Sequence, residues 1–309
     1  MASVAVLLCT YNGGSFLTEQ LASIGAQDFT GRSIRLEVHA SDDGSTDATS
    51  AVLNEWKGTC SAALVSRRCG PGKGHAANFL SLVAAPEISA DYYAYSDQDD
   101  IWDSDKLERA LTALERVPAG IPALYCARTR SISARGKATG KSPLFSRPPS
   151  FSNALLQNIA GGNTMVMNAA ARQLLATAGS VDVVSHDWWT YLLVAGAGGR
   201  VMYDAEPCLS YRQHEGNVIG DSLGTGSRLR RYKRFLHGRN RDWYTRNITA
   251  LKQNMSLLTP ENCSILEAFE QAREANLINR VRALTHSGVY AQTAIGQLGL
   301  YTATLLKKI

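Results

Sequence analysis

Three carboxylates lie close together in one short segment of this sequence, directly after an apolar run. Asp97, Asp99 and Asp100 fall within four residues, so their mutual repulsion raises their pKa values unless a cation or hydrogen-bond donors compensate it. Carboxylate oxygens suit Mg²⁺ or Mn²⁺, which keep several waters and bridge to phosphates. The alternative is a solvated acidic turn before a helix, a role that Asp103 and Asp105 alone could fill. Asp97, Asp99 and Asp100 are therefore candidate metal ligands.

A second acidic turn, residues 42–45 (DDGS), has two interpretations. Such turns commonly cap helices, and a carboxylate here could also accept hydrogen bonds from the N–H of a pyrimidine base or from a ribose hydroxyl. Two glycine-rich segments argue against other nucleotide-dependent classes. Residues 70–74 (GPGKG) lack the spacing of a P-loop, and residues 10–14 (TYNGG) are not a dinucleotide fingerprint. Kinase-like and NAD-dependent functions are thus disfavoured.

These turns belong to a regular alternation of elements. From residue 4 to residue 114, short apolar strands alternate with amphipathic helices, which predicts right-handed βαβ units and a mainly parallel sheet. Ser15 and Ser45 are the predicted N-caps of the first two helices. In open α/β sheets the carboxyl ends of the strands form the ligand crevice. The polar turns therefore lie where a site is expected.

The pattern is weaker beyond residue 114. Residues 120–149 are rich in Gly, Pro, Ser and Arg and lose periodicity, which predicts a long mobile loop near the site. A helix is predicted over 187–195 and a strand over 200–203, and everything past about residue 221 is predicted to be helical. We expect an α/β catalytic domain over residues 1–220 and a C-terminal helical extension over residues 221–309.

The composition is that of a globular chain. The 309 residues are 45% hydrophobic, and 32 Lys and Arg against 27 Asp and Glu give a formal net charge of +5. The six cysteines stand far apart without metal-ligand spacing, and we interpret them as buried, reduced thiols. The chain starts without a charged leader and holds no run of about 20 apolar residues. These features predict a cytoplasmic protein without a transmembrane helix.

Five segments, taken in order, resemble the family-2 glycosyltransferases of the GT-A fold. They are TYN at 10–12, DDGSTD at 42–47, DQDDIW at 97–102, HDWW at 186–189 and YRQH at 211–214. The spellings SDQDDIW and HDWW are most similar to the bacterial rhamnosyltransferases, which use dTDP-L-rhamnose to build surface polysaccharides. The resemblance covers roughly residues 4–217. It implies a GT-A fold, with a mainly parallel sheet flanked by helices, and a nucleotide-sugar transferase.

The resemblance also implies roles for individual residues. Asp187 falls at the position of the catalytic base, Asp99 is the implied direct metal ligand with Asp97 beside it, and His214 is implied to touch the metal or the diphosphate. The residues implied to lie at the nucleotide sugar are Thr10, Tyr11, Asn12, Asp42, Asp43, Lys73, Asn78 and Asp97. The implied cofactor is Mg²⁺ or Mn²⁺. The alternatives are simple packing for Tyr11, a solvated loop position for Lys73 and a structural hydrogen bond for His214.

The acceptor side is expected to lie around the implied base. The residues expected there are Gly162, Asn163, Trp188 and Trp189. Small residues near 161–163 permit close approach, and the two tryptophans are expected to form an apolar wall against the sugars, with core packing as the alternative. The family usually carries Glu-Asp at the base position, whereas this chain has His186 before Asp187. The role of that histidine is left open.

The expected reaction is inverting sugar transfer. Asp187 removes the proton from the acceptor hydroxyl as that oxygen attacks the anomeric carbon opposite the leaving nucleoside diphosphate. A metal ion offsets the charge that develops on the diphosphate. The favoured donor is dTDP-L-rhamnose and the acceptor is a saccharide, with another nucleotide sugar, such as a UDP-sugar, as the alternative. A sugar nucleotidyltransferase would want a basic residue in the 10–14 segment, and a non-catalytic sugar-binding protein would not need Asp97, Asp99 and Asp187 together.

One stretch near the C-terminus concerns location. Residues 228–246 hold eight basic residues against the single acid Asp242, with apolar residues interleaved and no nucleic-acid-binding motif. A seam of five residues follows: Ala291, Ile295, Leu298, Thr302 and Leu305. This seam could dock on the main domain, pair two subunits or lie in a membrane interface. We expect peripheral contact with the inner face of the plasma membrane, where a lipid-linked saccharide is the acceptor, and no nucleic-acid partner.

Overall fold

Nine strands form one mixed sheet in the part of the chain that the structure describes. The structure is a computed structural model that describes residues 1–29, 31–56, 62–214 and 239–309. In chain order the strands are β1 (Ala2–Thr10), β2 (Ile34–Asp42), β3 (Ala62–Cys69), β4 (Tyr92–Ser96), β5 (Ile101–Trp102), β6 (Ala123–Ser133), β7 (Ala138–Lys141), β8 (Val166–Asn168) and β9 (Arg200–Gln213). Their order across the sheet is β3-β2-β1-β4-β8-β6-β9-β5, with β7 paired to β6.

The first four strands of the chain form the parallel part of the sheet. β1 pairs with β2 and β4, and β2 pairs with β3, all in parallel. The register sets Thr10 opposite Asp42, and Asp42 opposite Cys69. β8 joins β4 to β6 through antiparallel pairs, and β9 runs parallel to β6. The carboxyl ends of β1, β2 and β3 therefore lie level at one edge of the sheet, as the crevice of an open α/β sheet requires.

Helices cover both faces of the sheet. They are α1 (Leu17–Gly25), α2 (Thr49–Glu55), α3 (His75–Ala84), α4 (Lys106–Leu114), α5 (Phe151–Ala154), α6 (Ala169–Ala178), α7 (His186–Gly196), α8 (Arg239–Gln253), α9 (Pro260–Glu274), α10 (Leu277–Ser287) and α11 (Ala294–Leu305). Alternate residues of β1 point to opposite cores. Val4, Val6 and Leu8 pack with α1 and α4, while Ala5 and Leu7 pack with α3, α7 and the C-terminal helices. This burial on both faces explains the nearly continuous apolar run of β1.

The alternation predicted for residues 4–114 is confirmed, but the predicted N-caps are wrong. α1 begins at Leu17, and no side chain of the described residues caps it, so Ser15 has no such role. α2 begins at Thr49, whose amide donates to Asp47 Oδ1 at 3.0 Å. Ser45 lies four residues before that helix and donates to Asp42 instead. Ser45 therefore forms hydrogen bonds within the loops after β1 and β2 and does not cap a helix.

The loop predicted over residues 120–149 is wrong, because it contains two strands. β6 spans eleven residues and pairs with β8, β9 and β7. The first half of β6 is buried and its second half is largely half-buried. Its apolar run is therefore short, and the sequence of β6 shows no clear strand periodicity. β9 also runs well past the predicted strand, to Gln213. Long-range pairing stabilises both strands where local sequence gives little indication.

The C-terminal extension is helical where the structure describes it, as predicted. The Asn262 side chain donates to the Ala195 and Gly196 carbonyls at the end of α7, at 3.2 and 2.8 Å, and Phe269 lies in the same core cluster as Leu192. The predicted seam does not dock on the main domain along its length, since Ile295 and Leu298 are 74% and 63% exposed. Residues 228–238 of the predicted basic stretch, which spans 228–246, lie outside the described residues.

Two further predictions concern cysteines and membranes. Cys9, Cys126 and Cys208 are free and buried, while Cys69 is exposed and Cys263 is half-buried, so burial was wrongly predicted for these two. Cys60 lies outside the described residues. Within the described parts of the chain, no helix combines the length and the apolar character that crossing a bilayer requires.

Candidate active site

The Asp42 carboxylate joins the end of β1 to the end of β2. The Thr10 hydroxyl donates to Asp42 Oδ1 at 2.7 Å, and the Ser45 amide and hydroxyl donate to the same carboxylate at 3.0 and 2.5 Å. Burial raises the pKa of Asp42, but these hydrogen bonds outweigh burial and bring the pKa below its usual value. Asp42 is therefore held ionised at the strand ends, and Thr10 is committed to it.

The segment after β1 presents an exposed aromatic ring. Tyr11 is 60% exposed, while its backbone amide and carbonyl pair with the Gln98 side chain at 2.8 and 2.9 Å. Asn12 has a left-handed φ of 49°, and its side-chain oxygen accepts from the Thr46 amide at 2.9 Å. The backbone is thus fixed and the Tyr11 ring is accessible to a flat group such as a nucleobase. Gln98 was not predicted to have a role. Its side chain pairs with the backbone of Tyr11, 87 positions away, and only the fold brings the two residues together.

The loop between β3 and α3 is built around Asp43. Its two carboxylate oxygens accept from the Gly72 and Gly74 amides at 2.7 and 2.8 Å. Asn78 is buried and pairs with Ser41, accepting from its hydroxyl at 2.6 Å and donating to its carbonyl at 3.0 Å. Of the residues predicted to contact the donor here, Asp43 and Asn78 shape the loop, and Lys73 is exposed at its tip.

The acidic turn after β4 sends its carboxylates in different directions. Asp99 Oδ2 lies 2.7 Å from His214 Nε2, which joins two residues predicted as metal ligands. Asp100 is fully buried, accepts from the Asn163 side chain at 2.6 Å and from the Arg212 amide at 3.3 Å, and has a pKa raised to about 7 by burial and by the charge of Asp99. Asp100 therefore fixes the turn, and the Asn163 amide predicted for the acceptor side is engaged beneath it.

Two buried basic side chains, Arg212 and Lys106, lie next to this turn. Arg212 is 2% exposed, and its guanidinium donates to the Asp99 carbonyl at 3.0 Å, to the Ala134 carbonyl at 3.1 Å and to Glu19 Oε2 at 2.6 Å. The Lys106 ammonium lies 3.1 Å from the centre of the Trp102 ring, and burial lowers its pKa to about 7. Neither cation was assigned a role from sequence, and only the position of Arg212 within the YRQH segment was a signal.

Asp187 lies in the first turn of α7. Its carboxylate accepts from the Trp188 amide at 2.7 Å, from the Gly162 amide at 3.2 Å and from the Ser185 hydroxyl. Burial raises the pKa of Asp97 well above its usual value, and the charges of Asp100, Asp99 and Asp187 raise it further. The charge of Asp187 therefore acts on the acidic turn.

The imidazole of His186 lies directly behind this site. It is 5% exposed, stacks on Phe79 with ring centres 3.9 Å apart, and meets the Tyr95 ring edge-on at 4.8 Å. Neither ring nitrogen has a hydrogen-bond partner among the described residues. A Cβ on Gly162 would lie 2.5 Å from His186 Nε2, so only glycine fits there. Close approach was predicted at Gly162, but it serves His186 and Asp187.

The two tryptophans after Asp187 belong to the core. Trp189 has no exposed surface, and Trp188 donates from Nε1 to the Ala154 carbonyl at 2.7 Å and meets Trp243 and Tyr244 edge-on. Neither ring presents a free face to bound sugars in this conformation. Their burial favours the core packing that the sequence left as the alternative.

The donor set at the acidic turn fits a divalent cation. Within the described ranges, no three His, Cys, Asp or Glu side chains come together as a metal cluster, but Asp99 and His214 already form a pair. One carboxylate oxygen and one imidazole nitrogen are acceptable ligands for Mn²⁺, and such ions in nucleotide enzymes take their other ligands from phosphates and water. Asp99 and His214, with Asp97 beside them, are the residues that would hold it.

Known proteins share both the sequence pattern and the fold. A curated relative, the dTDP-rhamnosyl transferase RfbG of Shigella flexneri, is 27% identical over 259 residues, which cover 79% of this chain and 83% of the relative. Two solved structures share the fold, with low sequence identity. TarS 1–349 of S. aureus, in complex with UDP-GlcNAc, has a TM-score of 0.53, 14% identity, and coverage of 92% of this chain and 89% of its own.

The second structure is the mannosyltransferase PcManGT from Pyrobaculum calidifontis, in complex with GDP-Man and Mn²⁺. It has a TM-score of 0.50 and 18% identity, with coverage of 99% of this chain and 85% of its own. The predicted GT-A fold is thereby confirmed. The family described as Glycosyl transferase family 2 matches residues 5–175. Because this match spans more than half of the chain, the protein belongs to glycosyltransferase family 2.

Proposed function

We propose that this protein transfers L-rhamnose from dTDP-L-rhamnose to a saccharide acceptor with inversion at the anomeric carbon, using Asp187 as the base. The observation that carries the proposal is the placement of Asp187 at the start of α7, where the Gly162 and Trp188 amides donate to its carboxylate and its charge helps to raise the pKa of Asp97. A carboxylate so fixed, next to a candidate diphosphate site, has the geometry that deprotonation of an acceptor hydroxyl requires.

The proposed step is one displacement. The acceptor oxygen attacks the anomeric carbon and gives its proton to Asp187, while the bond from that carbon to the diphosphate oxygen breaks and the nucleoside diphosphate leaves with the electron pair. The Gly162 and Trp188 amides keep the receiving carboxylate oriented, and Asp100 with Arg212 keeps the acidic turn in place. A divalent ion bound by Asp99 and His214 would supply charge neutralisation at the diphosphate.

The donor preference rests on the rhamnosyltransferase relative. On the chain itself, the exposed ring of Tyr11 and the ionised Asp42 support a nucleoside pocket at the ends of β1 and β2. Neighbours of the same fold were solved with UDP-GlcNAc and with GDP-Man and Mn²⁺, so another nucleotide sugar is the competing donor. The proposed ion is Mg²⁺ or Mn²⁺, and its support is the neighbour that was solved with Mn²⁺.

The test of the donor is a thermal-shift screen of nucleotide sugars with Mn²⁺ present, followed by measurement of nucleoside diphosphate release. We expect the largest shift and the fastest release with dTDP-L-rhamnose. Release should stop in excess chelator and in Asp99→Ala, because the Asp99–His214 pair is lost. A shift with UDP-sugars alone would reassign the donor, and full activity in chelator would remove the metal.

The stereochemical course is tested on the product. Since one displacement inverts the anomeric centre, a β-linked donor sugar should give an α-linked product, read from the anomeric coupling in its NMR spectrum. A retained configuration would exclude direct displacement assisted by Asp187.

We also propose that the enzyme acts peripherally at the cytoplasmic face of the plasma membrane on a lipid-linked saccharide. The support is the sequence of residues 228–246, with eight basic residues against one acid, since such a stretch suits anionic headgroups. A homodimer through the C-terminal helices is the competing use of the exposed seam.

A further inference from the structure

Large exposed apolar side chains concentrate at the C-terminal end of the chain. Of the thirteen found among the described residues, eight fall on α10, α11 and the residue that follows α11. They are Leu277, Ile278, Val281, Ile295, Leu298, Tyr301, Leu305 and Leu306. Single exposed apolar residues are normal on protein surfaces, but a group of this size on two neighbouring helices indicates a binding surface.

The two helices present these side chains on one continuous surface. The buried Arg280 of α10 donates to the Thr304 carbonyl of α11 at 3.0 Å, and Leu284 and Thr285 line a cleft together with Tyr301. Residue 280 thus contacts residue 304, while residues 284 and 301 line one cleft, so the helices lie side by side and antiparallel. Leu277 and Val281 precede Leu284 by seven and three residues, which sets them on the side of α10 that faces α11.

The opposite sides of the same helices are already occupied. Ala283 of α10, and Leu300 and Ala303 of α11, are buried in the core cluster that also contains residues of α7. The exposed apolar residues of α11 recur at a spacing of three and four, at Ile295, Leu298, Tyr301 and Leu305. This pattern gives α11 two apolar faces, of which only one is covered by the rest of the chain.

Charge identifies what covers the second face. From residue 275 to residue 309 the chain holds no Asp or Glu, while Arg282, Lys307 and Lys308 are exposed and adjoin the exposed Val281 and Leu306 in sequence. The acids of the preceding C-terminal helices, Asp242, Glu261, Glu267, Glu270 and Glu274, all come earlier. A second copy packed through the same surface would bring like charges together, which is unfavourable, whereas anionic headgroups complement them.

We propose that the α10–α11 surface, formed by the eight apolar residues together with Arg282, Lys307 and Lys308, docks on an anionic lipid bilayer and lies in its interface. α11 has twelve residues, or about 18 Å of helix, too short to span the ~30 Å hydrocarbon core. Tyr301 is an aromatic residue of the kind enriched at headgroup level. The inference rests on the proposed function only for the lipid-linked acceptor, since vesicle binding needs neither donor nor acceptor.

The experiment is co-sedimentation of the full chain with vesicles of phosphatidylcholine alone and of phosphatidylcholine with phosphatidylglycerol. We expect binding to the anionic vesicles, weakened by high salt. Leu298→Asn combined with Leu305→Asn should lower partitioning by ~10-fold or more, because burial of each leucine is lost. Lys307→Gln combined with Lys308→Gln should lower it by about fivefold per charge.

Matched controls use side chains of similar exposure elsewhere. Leu144→Asn, 55% exposed against 54% for Leu305, and the pair Lys137→Gln with Lys141→Gln should bind vesicles like the wild type. Unchanged circular dichroism would show that each variant folds. Equal binding to neutral vesicles, full binding by the double leucine variant, or a dimer that the leucine variant dissociates without vesicle binding by the wild type would each overturn the proposal. Any of these results leaves nucleoside diphosphate release, and so the proposed reaction, unaffected.

Discussion

At the scale of single residues, the candidate base is defined by its donors. The Asp187 carboxylate is oriented by Gly162, Ser185 and Trp188, and each donor belongs to the loop before α7, to its first turn or to the neighbouring 162–164 turn. These contacts restrict the direction in which the carboxylate can accept a proton. Orientation of this kind is what separates a general base from a solvated acid on a surface.

Replacing Asp187 by asparagine tests this role. Asp187→Asn keeps the size of the side chain and one acceptor oxygen, but the amide cannot take a proton, so turnover should fall by about 10²- to 10⁴-fold. The thermal shift produced by the nucleotide sugar should persist. The control is Asp182→Asn, which changes an exposed carboxylate paired with Arg246 and should leave turnover intact. Wild-type turnover in Asp187→Asn would exclude the residue as the base.

His186 predicts an effect of pH on stability. Burial, opposed by the charge of Asp187 and aided by that of His75, lowers its pKa from an ordinary 6.5 to about 4, with Tyr95 and Phe79 as its other close neighbours. As pH falls, His186 in the unfolded chain therefore takes up a proton near pH 6.5, whereas His186 in the folded chain takes it up only near pH 4. The folded state should lose on the order of 3 kcal/mol as pH falls through this window.

The measurement is urea unfolding of His186→Leu and of wild type at several pH values. Part of the acid-side slope should disappear in the variant, because leucine does not titrate, while His39 and His75, whose pKa values are also lowered by burial, keep their share. The exposed His286→Leu serves as the control. An unchanged slope in His186→Leu would show that folding does not lower the pKa of this imidazole.

Some site residues could be predicted from sequence and others could not. Thr10, Asp42 and Asp99 follow predicted strands, so their proximity was expected from the strand ends, whereas Asp187 was assigned only through the family resemblance. Gln98 and Arg212 act through partners 87 and 113 positions away, and no local pattern reports such contacts. The neutral, buried state of His186 likewise depends on Phe79 and Tyr95, which come from other elements.

At the scale of elements, strands with a local sequence pattern were predicted, and strands that depend on long-range pairing were not. β1 was predicted correctly because burial on both faces makes it nearly apolar throughout, and β2 because its apolar and polar residues alternate. β6 was missed because its outer half carries Arg128, Thr129 and Arg130, and because it is stabilised by pairing with β8 and β9. Its position also matters for the site, since Ala134 at its end accepts from the guanidinium of Arg212.

Gly162 allows a test of how closely the elements must approach. Gly162→Ala places a Cβ 2.5 Å from His186 Nε2 and 3.2 Å from Asp187 Cβ, so either the 162–164 turn or the start of α7 must move. We expect a loss of about 1–3 kcal/mol in folding free energy and a fall in kcat, because the amide that orients Asp187 shifts. KM for the donor should change little.

The matched control is Gly120→Ala, whose Cβ would meet nothing within 4 Å. It should leave both unfolding and turnover near wild-type values. If Gly162→Ala were as stable and as active as this control, the close packing against His186 would not be required for the orientation of the base.

At the scale of the whole molecule, the C-terminal helices and the sheet share one core. Tyr244, Leu266 and Phe269 of the extension are buried in the cluster that contains Leu192 and Leu193 of α7, and the Thr259 amide donates to the Gly196 carbonyl at 3.0 Å. The boundary that we propose near residue 220 thus separates the chain by element type. Because the two parts share a core, we expect them to unfold together. Separating the C-terminal helices from the α/β domain would expose apolar surface on both.

This shared core is tested by Phe269→Ala in the middle of α9. Phe269 has no exposed surface, so truncation should cost about 3–5 kcal/mol and lower the melting temperature of the whole protein on the order of 10 °C. Calorimetry should show one endotherm before and after the change, moving as a unit. The exposed Leu277→Ala is the control and should not move it. Two endotherms, of which Phe269→Ala shifts only one, would show that the extension folds independently and that α7 keeps Asp187 in place without it.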